Sequence, residues 1–412
     1  MIITKWMAFV LGAVVLASCA QPSEELTEET TKETTVERTV ERTWELKGGV
    51  VVRAVYPKAD GPWIWTEGEV PRRLTESVNA FDVRLSGDGN TAAFQGGTDW
   101  ELYAASITEG KAEVLLDRAD LDALTPEGGG FVTIDQFDFG ARSHAVYFTT
   151  KVPNPQGPQY DLYRVAAGDA DPVRIFAPGE GGPFTFSPDG EWLTVYHPDE
   201  LVLARPDGTD ARAMHAFSGD SPMGSAGPQI VWARDSSGFS FLSLAGTGQG
   251  MQTISVRYVP VEGEPEERMT FQGYPGARLA PDGKTIVYLA KNNGSTDVHL
   301  VDSQGKDTLY ASLEEDAFFM DWAPGGYRFL VATVQEQPDS PDTAYMPYIC
   351  APGADPVRLT GRSSAYPAYW AGGGRVLFYA DGLRLWKPNE EELLIDDGLS
   401  ANAFDFTLLY PV

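Results

Sequence analysis

The stretch Phe184-Thr185-Phe186-Ser187-Pro188-Asp189-Gly190-Glu191-Trp192-Leu193-Thr194-Val195-Tyr196 constrains the fold of this chain most, because the chain repeats it. Phe184 and Phe186 alternate with Thr185, a period of two that puts both aromatics on one face of a strand. Pro188 presets φ for the first central position of a tight turn, Asp189 suits the second, and Gly190 tolerates the conformation that follows. Leu193 and Val195 then return as a second strand rich in β-formers. A lone hairpin is marginal in water, so its partners must come from elsewhere in the chain.

They recur at intervals of roughly 40 to 50 residues, the mark of a repeat architecture. The copies begin at Phe81-Asp82-Val83-Arg84-Leu85-Ser86-Gly87-Asp88-Gly89, Phe137-Asp138-Phe139-Gly140 and the Phe184 hairpin. Further copies begin at Ile230-Val231-Trp232-Ala233, Ala277-Arg278-Leu279-Ala280-Pro281-Asp282-Gly283, Met320-Asp321-Trp322-Ala323 and Ala368-Tyr369-Trp370-Ala371. Each copy continues into a second, third and fourth strand, and four antiparallel strands per repeat make the blade of a β-propeller. The ends are incomplete in a complementary way. Val50 to Tyr56, Trp63 to Thr66 and Arg72 to Leu74 lack a first strand, and Ala403 to Leu409 is a first strand with nothing after it. Joined, they form one blade that closes the ring and removes its open edges. The expected fold is all-β: a single propeller of eight blades, or seven if the degenerate copy at Phe137 is an insertion.

The Ser/Ala-Pro-Asp-Gly hairpins resemble TolB-like propeller repeats, the WD-repeat-like family also seen in dipeptidyl-peptidase and tricorn-type propellers. The resemblance covers residues 44–412 and implies the fold far more than any activity. TolB carries a further N-terminal α/β domain that this sequence does not supply. Peptidases built on such propellers carry a hydrolase domain that is likewise missing.

Ahead of the repeats lies a targeting segment, residues 1–18, with Lys5 followed by the short apolar run Met7 to Leu16. It ends in Leu16-Ala17-Ser18-Cys19, which resembles the lipobox of bacterial lipoproteins. That resemblance implies cleavage before Cys19, a diacylglycerol on its sulfur and an acylated amine. Two or three acyl chains hold a protein stably on a membrane. Ala20 is not Asp, which by the same resemblance implies the outer membrane in a Gram-negative cell, and otherwise the outer face of the cytoplasmic membrane. Residues 19–43 form a tether of Glu, Thr and a few basic residues, too poor in large apolar groups to fold alone. A flexible chain of that length spans about 25 Å.

Composition excludes some partners. The 412 residues carry 59 acidic against 31 basic side chains, a formal net charge of -28. That sign opposes binding to nucleic acid, whose phosphates need a basic face. It also opposes docking on anionic lipid through surface charge. With Cys19 committed to lipid, Cys350 is left alone in an apolar strand-like run and reads as buried and inert.

No motif announces catalysis. There is no Gly-x-Ser-x-Gly elbow; Gly219-Asp220-Ser221-Pro222 and Gly224-Ser225-Ala226-Gly227 read as loops. No Walker loop or dinucleotide fingerprint appears, so no cofactor is expected. His144, His197, His215 and His299 are assigned to different repeats and strand positions, against a shared metal site. Asp117 to Asp122 fits a short inserted helix better than a calcium loop.

The recurring polar feature lies on the first strands, which line the channel of a propeller. The equivalent position holds Arg84, Asp138, Thr185, Val231, Arg278, Asp321, Tyr369 and Asp405. Its charged and aromatic members, Arg84, Asp138, Arg278, Asp321, Tyr369 and Asp405, are the candidate binding residues. Against that stands a structural role, hydrogen bonds and ion pairs between blades. The adjacent aromatics Phe139, Phe186, Trp232, Trp322, Trp370 and Phe406 read as packing between blades. Two Pro-rich loops, Pro153 to Tyr160 and Gln337 to Tyr345, interrupt blades between second and third strands; they are tolerated insertions or, if both emerge on one face, the rim of one binding surface. The expectation is a monomeric, non-catalytic lipoprotein that presents a propeller to an envelope protein or peptide. The alternatives are a glycan- or peptide-processing hydrolase or lyase using Asp138, Asp321 and Asp405, and a solute- or cation-binding module using the acidic surface.

Overall fold

Among the described residues, thirty-three strands and one short helix build the propeller in a computed structural model. It describes residues 49–410 except positions 77, 127–129, 154–157, 198–199, 218–220, 223–227, 246–249, 327, 337–342, 363–365 and 400–403. The targeting segment, Cys19 and the tether lie outside the described residues, as do the central parts of the two Pro-rich loops.

The strands form eight antiparallel sheets. We number them as blades 1 to 8, with blade 1 the one that holds both chain ends. The innermost strands of blades 1 to 4 are Asp405–Leu409, Ala80–Leu85, Thr133–Phe139 and Phe184–Phe186. Those of blades 5 to 8 are Val231–Trp232, Arg278–Leu279, Ala317–Trp322 and Ala368–Trp370. The Phe137 copy is therefore a full blade and the count is eight. In blade 1 the C-terminal strand pairs antiparallel with Val51–Lys58, with Val52 opposite Leu408 and Ala54 opposite Phe406. The closure expected from the two incomplete ends is the one the molecule uses.

Local chemistry accounts for each hairpin. Phe184 pairs with Val195 and Phe186 with Leu193. In the turn between them, Gly190 N–H donates to Ser187 O at 2.9 Å. Asp189 accepts from the Ser187 hydroxyl at 2.6 Å and from Glu191 N–H at 3.1 Å. Those bonds hold the Asp189 carboxyl below the ordinary carboxylate value despite the opposing cost of its burial. Asp189 is a turn-former and not a reactive acid. Gly190 sits at φ +69, the region in which a side chain is strained, and a Cβ there would come within 3.2 Å of Ala141 in blade 3.

The buried side chains form no single central core. They fall into eight clusters, each made by two adjacent blades, and the ring they trace is closed. Blades 4 and 5, for example, share Leu201, Leu203, Trp232, Phe239 and Phe241. Polar contacts reinforce the closure between blades 8 and 1. Tyr56 Oη donates to Asp396 at 2.8 Å, and Lys58 Nζ reaches the same carboxylate at 2.9 Å.

Two details depart from the sequence reading. Blade 5 has a fifth strand, Ser221–Pro222, which pairs with Leu244 and Ser243 beside the short Val231–Trp232 strand. Gly219-Asp220-Ser221-Pro222 therefore contains a strand and is not purely loop: Gly238–Ala245 outruns its two-residue neighbour and leaves backbone to be paired. His197 and His215 also share one blade, on the second and fourth strands of blade 4. The Asp117 stretch is a helix as expected, Arg118–Ala123, with Asp117 and Asp120 forming a reciprocal cap.

Candidate functional site

Every position of the predicted ring lies on an innermost strand. Their neighbours along the chain point the other way. Val83, Leu85, Phe137, Phe139, Ala277, Leu279, Trp322, Ala368 and Trp370 are buried between blades, whereas Arg84, Asp138, Thr185, Arg278, Asp321, Tyr369 and Asp405 keep access to solvent in the channel. The period of two places both sets.

The acids are tied to backbone. Leu85 N–H of blade 2 donates to Asp405 of blade 1 at 2.6 Å. Trp370 N–H of blade 8 donates to Asp321 of blade 7 at 2.9 Å. Asp138 accepts from Phe139 N–H, within its own strand, at 2.7 Å. Desolvation outweighs these bonds, so all three carboxyls lie above their ordinary value, Asp321 and Asp405 at about 6. Asp138 is open to channel water, so the walls around it and not occlusion lift it.

Glutamines make the equivalent bond at two other junctions, and the sequence reading missed them. Gln136 of blade 3 donates to Phe184 O at 3.0 Å and accepts from Phe184 N–H at 3.2 Å. Gln229, which leads into blade 5, accepts from Leu279 N–H of blade 6 at 3.0 Å and donates to Leu279 O at 3.3 Å. Side chains from blades 1, 3, 5 and 7 thus bind the innermost backbone of blades 2, 4, 6 and 8. A signal was present, because Gln136 and Gln229 both lie two residues before a position of the ring, Asp138 and Val231, and Gln136 shares a strand face with Asp138.

The structure draws most of the candidate ring into one electrostatic group. Arg84 lies 2.7 Å from Asp82 and 5.2 Å from the Phe137 ring. It stabilises the charged forms of Asp405 and Asp138, while Asp138 opposes ionisation of Asp405. Tyr369 is raised by burial first, then by Tyr366, and by Asp321 and Asp405 against Arg84. Arg278 stands apart from that group. Burial lowers it, and its Nη1 reaches only the carbonyls of Gly276 and Ala277, each at 3.2 Å. Cys350 is fully buried and its thiol is pushed up to about 12, in keeping with an inert core residue.

One face of the ring carries exposed aromatic groups. Each blade runs antiparallel, so connections from second to third strand emerge on the same face as the lead into each innermost strand. Trp100, 49% exposed, and Met251, 56% exposed, lie on connections of the first kind. Phe131, 57% exposed, and Tyr366, 42% exposed, lie on leads of the second kind. Trp100 packs edge-on against Phe81 at 4.7 Å. Tyr366 joins Phe318 and Tyr345 at 5.7 and 5.2 Å. The Pro153 and Gln337 loops also connect second to third strands, and their central residues lie outside the described residues.

No family model and no curated protein matches the sequence. Solved structures do. A eukaryotic initiation factor aligns at TM-score 0.51 with 9% identity, over 87% of this chain and 99% of that one. The acylaminoacyl peptidase of Pyrococcus horikoshii aligns at TM-score 0.44 with 14% identity, over 64% of this chain and only 46% of the peptidase. TolB from Acinetobacter baumannii aligns at TM-score 0.37 with 14% identity, over 79% of this chain and 81% of TolB. At 9% identity the likeness to the initiation factor is one of fold, so the side chains must carry any functional argument.

Proposed function

We propose that this protein is a non-catalytic binding lipoprotein, held on a membrane through Cys19, that docks an envelope protein or peptide on the aromatic face and the channel mouth it surrounds. The observation that carries this reading is the set of exposed groups Trp100, Phe131, Met251 and Tyr366, which reach solvent on one face. Exposed aromatic groups make effective anchors for a partner, since they bury large area at small entropic cost. The tether adds reach by letting an anchored disc search the surrounding space.

The hydrolase reading draws on Asp321 and Asp405, because a carboxyl near 6 suits a general acid. Both already accept backbone N–H groups from a neighbouring blade, which supports a structural role. Crosslinking the anchored protein in its native envelope tests the binding reading. A specific adduct that is lost in a Trp100→Ala/Phe131→Ala/Tyr366→Ala variant of unchanged thermal stability is expected. Absence of any protein adduct would sink the proposal.

A further inference from the structure

A second feature of the channel wall points to the chemistry of the partner. Between blades 5, 6 and 7 the wall opens into a cavity of about 380 Å³, whose partly exposed apolar sides include Val231, Phe319 and Met320. That is within the size range of sites that take a small molecule or a few residues of peptide. Its charged residues are Arg278, Arg234 and Asp321. Arg234 donates to Pro324 O, spanning from blade 5 to blade 7. Asp321 is occupied by the backbone N–H groups of Trp370 and Trp322. Arg278 reaches only the carbonyls of Gly276 and Ala277, and among the described residues no carboxylate lies within ion-pair distance of it.

That lack is unexpected from the composition. The chain has 59 acidic residues to pair with 31 basic ones, and the other channel arginine, Arg84, has Asp82 at 2.7 Å. A guanidinium that is partly withdrawn from water and left unpaired is costly to fold around. The planar fork of an arginine matches a carboxylate bidentately, and the apolar walls suit an apolar group beside it.

We infer that the cavity between blades 5, 6 and 7 is a carboxylate-binding subsite in which Arg278 receives an anionic group of the bound peptide, with Val231, Phe319 and Met320 packing its apolar neighbour. The inference rests on the peptide-binding reading above and adds to it the charge of the ligand. The carboxylate comes from a free C-terminus or from an Asp or Glu side chain.

Three probes separate these sources: N-acetyl-phenylalanine, the α-amide of N-acetyl-glutamic acid, and N-acetyl-phenylalaninamide, which has no carboxylate. Each is titrated into the intact lipidated protein in detergent micelles and followed by saturation-transfer NMR. Saturable binding of at least one acid, without matching binding of the neutral amide, is expected, and the tighter acid identifies the source. Arg278→Gln should weaken it by at least about tenfold, the scale of a hydrogen bond to a charged group, and Arg278→Lys should weaken it less. Neither acid saturating the native protein, the amide binding as well as the acids, or Arg278→Gln binding undiminished would each overturn the inference. Should Arg278→Gln fail to fold, discrimination between acid and amide by the native protein still decides. Envelope crosslinks retained in a folded Arg278→Gln variant would remove the subsite and leave the docking face standing. Carboxylate binding without any envelope adduct would do the reverse.

Discussion

At the scale of the residue, a repeated polar position has acquired two jobs. Asp321 and Asp405 serve as acceptors for the next blade's backbone, and burial holds both near 6. Their folded value lies above the ordinary 3.8, so between those limits the folded protein keeps protons that the unfolded chain has released. Stability from these groups is therefore greatest below that window and falls as pH rises through about 6. Lowering pH from about 7.5 to about 5 should raise the thermal midpoint, with Asp321→Asn reducing the slope. Relief of the net charge also stabilises the acidified protein, so the difference between native and Asp321→Asn profiles is what calorimetry must resolve. Identical slopes would refute the assignment. The amide still accepts from Trp370 N–H, whereas Asp321→Ala leaves that donor unpaired and should cost about 1–3 kcal/mol in chemical denaturation. Gly190→Ala tests the turn in the same way. Strain at φ +69 and the approach to Ala141 predict a loss of about 1–2 kcal/mol, read as a lower denaturation midpoint.

At the scale of the element, the hairpins form from their own residues but gain stability only from neighbours. The innermost strands Val231–Trp232 and Arg278–Leu279 have two residues each, far too short to persist alone. They are held by the blade beside them, through Gln229 on Leu279 and through Trp232 and Leu279 in the flanking clusters. The blade 1 strand Asp405–Leu409 is the extreme case, since it joins the ends of the chain. A chain lacking residues 403–412 leaves Val51–Lys58 with an unpaired edge and removes Asp405 from Leu85. It should lose the single cooperative unfolding transition in calorimetry. Retention of a sharp transition at the native midpoint would show that the ring does not depend on this strand.

At the scale of the whole molecule, eight interfaces close the ring, and a pre-ordered frame of this kind lowers what a docking platform must lose on binding. Loops from several blades can then meet one partner without a large ordering cost. The proposed anchor belongs at this scale too. Replacing Cys19 with Ala should move the protein from the membrane fraction to the soluble fraction on centrifugation of lysed cells. Persistence in the membrane would mean that something other than lipid retains it.

The structure fixed the count at eight by making the degenerate Phe137 copy a full blade, but the sequence by itself determined the blade and the closure of blade 1 by both ends. Those follow from local physics: period-two alternation, turn residues and a repeat length, each readable within a few tens of residues. It also placed Arg84, Asp138, Arg278, Asp321, Tyr369 and Asp405 on channel-lining strands, because strand faces alternate. Only the tertiary structure decided what those side chains meet. Asp405 and Leu85 lie 320 positions apart and bond across the closed ring. Gln136 and Gln229 look like any other glutamine until a neighbouring blade offers backbone to them. Arg278 is distinguished from Arg84 by the partner it lacks, and a missing partner is a property of space, not of sequence.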